Sequence, residues 1–223
     1  MSSCAIMDRA EQFVKEQLQN DSSGHDWWHI DRVRKMAVKI AKKEGANEFV
    51  CELASLLHDV ADEKLNSSKE AGFNKVYGWL ETNLVDVHTI NEVLNIISTM
   101  SYNGGHNPPM NTLEGQIVQD ADRLDAMGAI GIARTFAYAG WKGQFMYDPD
   151  NKPRDDLSEE NYRDTKGTAI NHFYEKLFKL KGLMNTEWGK KIASYRHQYM
   201  ECYLLQFYKE WESADEELED LNL

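Results

Sequence analysis

Cysteine is scarce in this chain and too widely spaced to build anything. Cys4, Cys51 and Cys202 form no CxxC pair and no Cys-His finger spacing. An odd number of distant thiols excludes a disulfide framework and a thiolate zinc site, and makes a reducing cytoplasm the expected compartment. Cys51 lies in an apolar run and reads as a small core residue. Long apolar runs are missing as well: no stretch approaches the ~18 apolar residues that a membrane span needs, so neither insertion nor secretion is expected. The third shortage is basic charge. Lys and Arg number 25 against 37 Asp and Glu, a net charge of −12, which excludes an extended nucleic-acid surface built from clustered cations.

At 223 residues, with 42% hydrophobic and 28% charged, the chain suits one globular domain and excludes a mostly disordered one. Residues 1–211 are expected to form that domain. The remainder, 212–223, is an acidic tail, since Glu212, Asp215, Glu216, Glu217, Glu219 and Asp220 meet no base there. Such a run reads as a solvated end.

Apolar residues recur at helical spacing almost throughout, and no period-2 series competes, so the expected class is all-α. Ile6, Ala10, Phe13, Val14 and Leu18 form one stripe. Asp26 is placed to cap a second helix carrying Ile30, Val33, Ala37 and Ile40, which stops at Gly45. A third helix runs from about Asn47 to the pair His58-Asp59, and two more follow near 68–83 and 86–100. Paired Gly and Pro make 101–110 a loop. The apolar stretch 112–139 reads as one long sixth helix, with Gly128 and Gly131 marking close approach rather than a break. Residues 140–166 are polar and aperiodic, a lid or an insertion. Two helices, divided near Asn185-Thr186, complete the chain to about Trp211.

Four candidate metal ligands fall on three of these segments: His29 on the second, His58 and Asp59 at the end of the third, and Asp122 early in the sixth. Two imidazoles with two carboxylates suit a divalent ion such as Mn, Fe, Co, Ni or Zn and leave positions for water and substrate. Residues projecting inward from neighbouring helices are how bundles build such sites.

The order His…His-Asp…Asp, in the contexts LLHDVADE and VQDADRLDAMGAIG, resembles the HD-domain superfamily of metal-dependent phosphohydrolases. The strings SGHDWWHIDRV and TAINHFYEKLFKLKGLMNTEWGKK are similar to its bacterial YedJ/YpgQ branch. The resemblance covers roughly Ala5 to Trp211. It implies a single-domain helical bundle, one divalent ion (Mg joining the metals above) and hydrolysis of a phosphate ester or anhydride in a nucleotide or other small molecule. Its metal ligands match His29, His58, Asp59 and Asp122, with Asp122 preferred to Asp120 because of the Ala121-Asp122-Arg123-Leu124 context. Asp120 and Asp125 stay as neighbours able to orient a ligand. A catalytically silent nucleotide-binding module on the same fold is the alternative.

Hydrolysis also needs a group that moves a proton and aims the water. Asp62, three residues after Asp59 and so on nearly the same helical face, is the first candidate, and Glu63 the second. His25, four residues before His29, shares its face and is a candidate for substrate. So are Arg32, Arg123, which follows Asp122 directly, and His172 with Lys176 on one side of the HFYEKLFKLK helix. Trp27 and Trp28 read as corner packing, and His106 beside Gly104-Gly105 as a plain loop.

Overall fold

A computed structural model describes residues 2–18, 26–62, 65–100, 109–154 and 167–214. Helices account for most of them, and among the described residues there is no strand. Helix α1 spans Ser3–Leu18 and α2 Trp27–Glu44; α3, Glu48–Leu57, tightens into a 3-10 turn at His58–Ala61. Next come α4, Lys69–Thr82, and α5, Val87–Thr99, then α6, Leu113–Asp125, and α7, Gly128–Lys142. The segment α8 is compound. It starts as Ala169–His172, widens to a π turn at Phe173–Leu177, and closes through Phe178–Leu180 and a 3-10 turn at Lys181–Leu183. The last helix, α9, is Glu187–Trp211. No described helix is long and apolar enough to cross a membrane.

The boundaries follow local chemistry. Side-chain oxygens of Asp26, Asn47, Asp86, Thr112 and Thr186 cap the starts of α2, α3, α5, α6 and α9, each satisfying backbone N–H groups that a first turn leaves open. Gly45 ends α2 with φ of 75°. The core stands on three mutually packed helices, α2, α3 and α6. Ile30, Val33, Ala37 and Ile40 from α2 meet the buried run Val50 to Leu57 of α3 and Ile117, Val118, Ala121 and Leu124 of α6. Each fully buried Leu or Ile here contributes about 1.5–3 kcal/mol of transfer free energy. This core fixes the three backbones that carry the candidate ligands.

Three expectations are corrected. The stretch 112–139 is two helices, not one. The α6 backbone stops at Asp125, and Gly128 opens α7 with φ of 71°, a conformation costly for any residue with a Cβ. Gly128 does also allow close approach, since an added Cβ would meet the Arg196 side chain from α9. The third helix, likewise, does not continue α-helically through the His-Asp pair. Its 3-10 turn ends at Ala61, and Asp62 is extended at φ −63° and ψ 139°. Asp62 therefore does not share a helical face with Asp59. Gly72 of α4 backs onto this turn, where a Cβ would collide with the Ala61 backbone carbonyl.

The segment expected to be aperiodic from 140 begins instead inside α7, which runs to Lys142. Its described part is tied to α8 by Ala169 N to Phe145 O at 3.1 Å and by the Arg154–Glu175 ion pair at 2.8 Å. Of the tryptophan pair, Trp27 packs beneath the Lys15 ammonium, whereas Trp28 is exposed. His25, Glu63, the 101–108 loop with His106, and 155–166 lie outside the described residues.

Candidate metal centre

His29 sits in the first turn of α2, where the Asp26 side chain caps its backbone N–H at 2.9 Å. His58 and Asp59 open the 3-10 turn, and Asp122 lies in the third turn of α6. The packing of α2, α3 and α6 brings His29, His58 and Asp59 within reach of one ion and sets Asp122 beside the two imidazoles. His29 Nε2 is 3.5 Å from an oxygen of Asp59 and 3.5 Å from Asp122 Oδ1. His58 Nε2 is 3.2 Å from Asp59 Oδ1 and 4.0 Å from Asp122 Oδ1. Donors bound to one ion at ~2.0–2.2 Å stand ~3 Å apart when adjacent and ~4.3 Å when opposite, so His29, His58 and Asp59 fit a shared sphere, with Asp122 at its edge. His29, His58 and Asp59 are buried, whereas the Asp122 side chain is 32% exposed. Access is therefore from the Asp122 side.

The hydrogen bonds decide which way the imidazoles point chemically. His58 Nδ1 lies 2.8 Å from the Ser55 carbonyl, which can only accept, so Nδ1 carries the proton. In the neutral ring Nε2 then presents a lone pair. That atom is buried without a hydrogen-bond partner, facing two carboxylates that are themselves acceptors. His29 repeats the pattern, its Nδ1 donating to Asp125 at 2.8 Å with Nε2 toward Asp59 and Asp122. Two lone pairs and two carboxylates converging in a buried pocket repel one another unless a cation lies between them. The donor set fits a divalent ion.

Asp125 is the hub behind His29. It accepts from Arg32 Nε at 2.7 Å and Nη2 at 3.0 Å, and from Arg134 Nη1 at 2.7 Å. Burial alone would raise its pKa; the bonds from His29 and Arg32 and the Arg134 charge outweigh that and hold it well below the usual carboxylate range. A carboxylate locked in this way fixes the ring and tautomer of a ligating histidine.

Asp120 has a different task. It is fully buried and accepts from the Asn185 and Thr186 backbone N–H groups at 2.9 and 2.8 Å and from Thr186 Oγ1 at 2.8 Å, anchoring the start of α9. That removes it from competition with Asp122.

The basic residues nominated from sequence are placed unequally. Arg32 reaches Asp125, as above. Arg123 donates to the Leu183 carbonyl, tying α6 to the end of α8. His172 and Lys176 lie on α8, whose principal neighbours are α7 and α9 rather than the ligand-bearing helices. The His172 pKa is pushed down to about 3 by burial, with the Lys176 charge adding to the effect, so the ring is neutral near pH 7. Sequence reasoning missed Arg134, nine residues beyond Asp125 and across the α6–α7 break, and the Ser55 carbonyl, which no side-chain pattern reveals.

Comparison with known proteins places this geometry in context. Residues 27–127 match the family model for the HD domain, a span that contains all four converging residues. The chain is 37% identical over 216 residues to YpgQ of Bacillus subtilis, covering 95% of this chain and 98% of YpgQ. A solved structure from Lactobacillus plantarum superposes with a TM-score of 0.82 at 40% identity, covering 94% of this chain and 98% of that one. An HD-superfamily hydrolase from Bacillus thuringiensis gives 0.77 at 50% identity, over 95% and 99% of the two chains. YpgQ has been solved in complex with ADP, and that structure matches with a TM-score of 0.74 over 92% of this chain and 97% of its own.

Proposed function

Because this chain belongs to the HD-domain superfamily, we propose that it is a metal-dependent phosphohydrolase acting on a nucleotide or similar small phosphate. The observation that carries the reading is the convergence of the His29 and His58 Nε2 atoms with the Asp59 and Asp122 carboxylates. His29, His58, Asp59 and Asp122 would hold the ion. A divalent ion supplies Lewis acidity there, lowering the pKa of a water and polarising a phosphoryl oxygen.

The protein's own groups supply position and proton handling. Ser55 and Asp125 keep both imidazoles in the metal-binding tautomer. Burial of His29, His58 and Asp59 excludes water from three sides, while Asp122 borders the open one. Asp62, leaving the turn directly after Ala61, is the candidate to take or give a proton, with Glu63 its competitor. Among the basic residues, Arg123, Lys176, His172 and His25 remain candidates for phosphate contact. Arg32 is better read as positioning His29 through Asp125. The nucleotide reading is supported by the ADP complex of YpgQ, a relative over nearly the whole chain.

The test is a panel of nucleotides and other phosphorylated metabolites, assayed after chelation and after adding back Mn, Mg, Co, Ni or Zn. A nucleotide is expected to release phosphate or pyrophosphate only when an ion is restored. Full turnover in chelator, or nucleotide binding with no turnover anywhere in the panel, would contradict the proposal. The second outcome would make this a binding module.

A further inference from the structure

Away from the metal-directed cluster, one cavity gathers basic charge in a chain of net charge −12. Its volume is about 230 Å³, and its lining includes Arg32, Lys35, Met36 and Lys39 of α2, Asp125 of α6 and Arg196 of α9. The α2 cations recur at three- and four-residue steps and so share one helix face. Four cations line the cavity against one acid, Asp125, with Asp31 beside Lys35. Asp125 does not neutralise the lysines, because its oxygens are already taken by His29, Arg32 and Arg134. Lys35 meets Asp31 at 2.6 Å but stays largely exposed, and Lys39 has no ion pair or hydrogen bond among the described residues. Since Asp125 binds the Nδ1 edge of His29, the cavity lies behind that ring, away from the Nε2 edge that faces Asp59 and Asp122.

We propose that this cavity is a second anion site, separate from the metal centre, and that it takes a compact phosphoanhydride such as a diphosphate. Lys35 and Lys39 stand about 6 Å apart along the α2 axis at ~1.5 Å per residue, which suits an anion with charged oxygens at both ends. A single carboxylate would engage only one end. The Arg32 fork is held by Asp125, whereas Arg196, whose Nη1 binds the Leu124 carbonyl, keeps its remaining guanidinium N–H groups for phosphate oxygens. The volume is below the ~300–1,000 Å³ of pockets that enclose a whole drug-sized ligand, which favours the bare anion or the phosphate tail of a larger molecule.

The probe is inorganic pyrophosphate, titrated calorimetrically into full-length protein held metal-free by chelator. Wild type is expected to bind it. Lys39→Glu should weaken binding about tenfold, a loss of about 1.4 kcal/mol, whereas Lys179→Glu, the same charge change on α8, should alter it less than twofold. Asp122→Ala should bind as wild type does, which separates this site from the metal centre. ADP that displaces pyrophosphate with the same Lys39 dependence would identify a nucleotide tail as the occupant; ADP without effect would identify the free anion. Absence of pyrophosphate binding, equal effects of the two lysine variants, or loss of binding in Asp122→Ala would overturn the proposal. The titration involves no turnover, so its failure leaves the proposed hydrolysis untouched.

Discussion

Replacing Asp59 by Ala is expected to abolish metal-dependent turnover while leaving the fold intact. Asp59 approaches both imidazoles, at 3.2 Å from His58 Nε2 and 3.5 Å from His29 Nε2, so it would share a bound ion with both. Lewis-acid catalysis supplies several kcal/mol of transition-state stabilisation, and each decade of rate is about 1.4 kcal/mol, so the loss should be on the order of 10³-fold. The fold survives because the substitution removes one of several acceptors that face one another in the metal-free protein. Circular dichroism should show wild-type helicity. Adding Mn should raise the melting temperature of wild type, since binding only the folded state stabilises it, and should not raise that of Asp59→Ala. Wild-type turnover in the variant would sink this assignment.

Asp125→Asn tests the layer behind the ligands, and its effects should be twofold in kind. The amide no longer presents two anionic oxygens to His29, Arg32 and Arg134, so His29 loses the partner that fixes its tautomer. Changes of this sort cost 10–100-fold in metal affinity or activity. Stability falls too, by about 3 kcal/mol, the lower end for breaking a buried pair, because Arg32 and Arg134 are partly exposed and solvent screens what remains.

The pH dependence has a definite sign. The pKa of Asp125 is held below its unfolded value, so the unfolded chain binds its proton first as pH falls through about 3.9. The stability Asp125 contributes is fully present above that pH and is lost below it. Metal-free wild type should therefore lose stability on the acid side more steeply than Asp125→Asn. Asp31→Asn provides the control. Asp31 is buried on α2 and paired with Arg34 and Lys35, yet it contacts none of the four ligands through any observed bond. It should lower stability with little effect on metal affinity, and an equal loss of affinity in both variants would make the Asp125 effect merely structural.

Much of this architecture was legible in the sequence because the signals are local. Apolar spacing and capping residues located α2, α3, α4 and α5, and Asp26 and Gly45 bound α2 where side-chain chemistry said they should. The four candidate ligands were nominated from donor type, order and the resemblance to HD domains, and the fold clusters His29, His58 and Asp59 with Asp122 alongside. What escaped the sequence depends on backbone geometry or on contacts distant along the chain. The break at Gly128 was hidden because apolar spacing continues across it, and only the positive φ reveals it. The 3-10 turn at His58–Ala61 gave no pattern of its own and displaced Asp62 from the face expected for it. Asp122 was preferred to Asp120 only through the resemblance, since both are aspartates two residues apart on one helix. They are told apart by Asn185 and Thr186, more than sixty residues away, whose backbone N–H groups claim Asp120.

The central claim is that one divalent ion sits between α2, α3 and α6. A crystal grown with Mn and measured for anomalous scattering tests it most directly. The account predicts a single strong peak within about 2.0–2.3 Å of His29 Nε2, His58 Nε2 and oxygens of Asp59 and Asp122. No peak there, or a peak coordinated by Asp120 or Asp125 in place of Asp122, would contradict it.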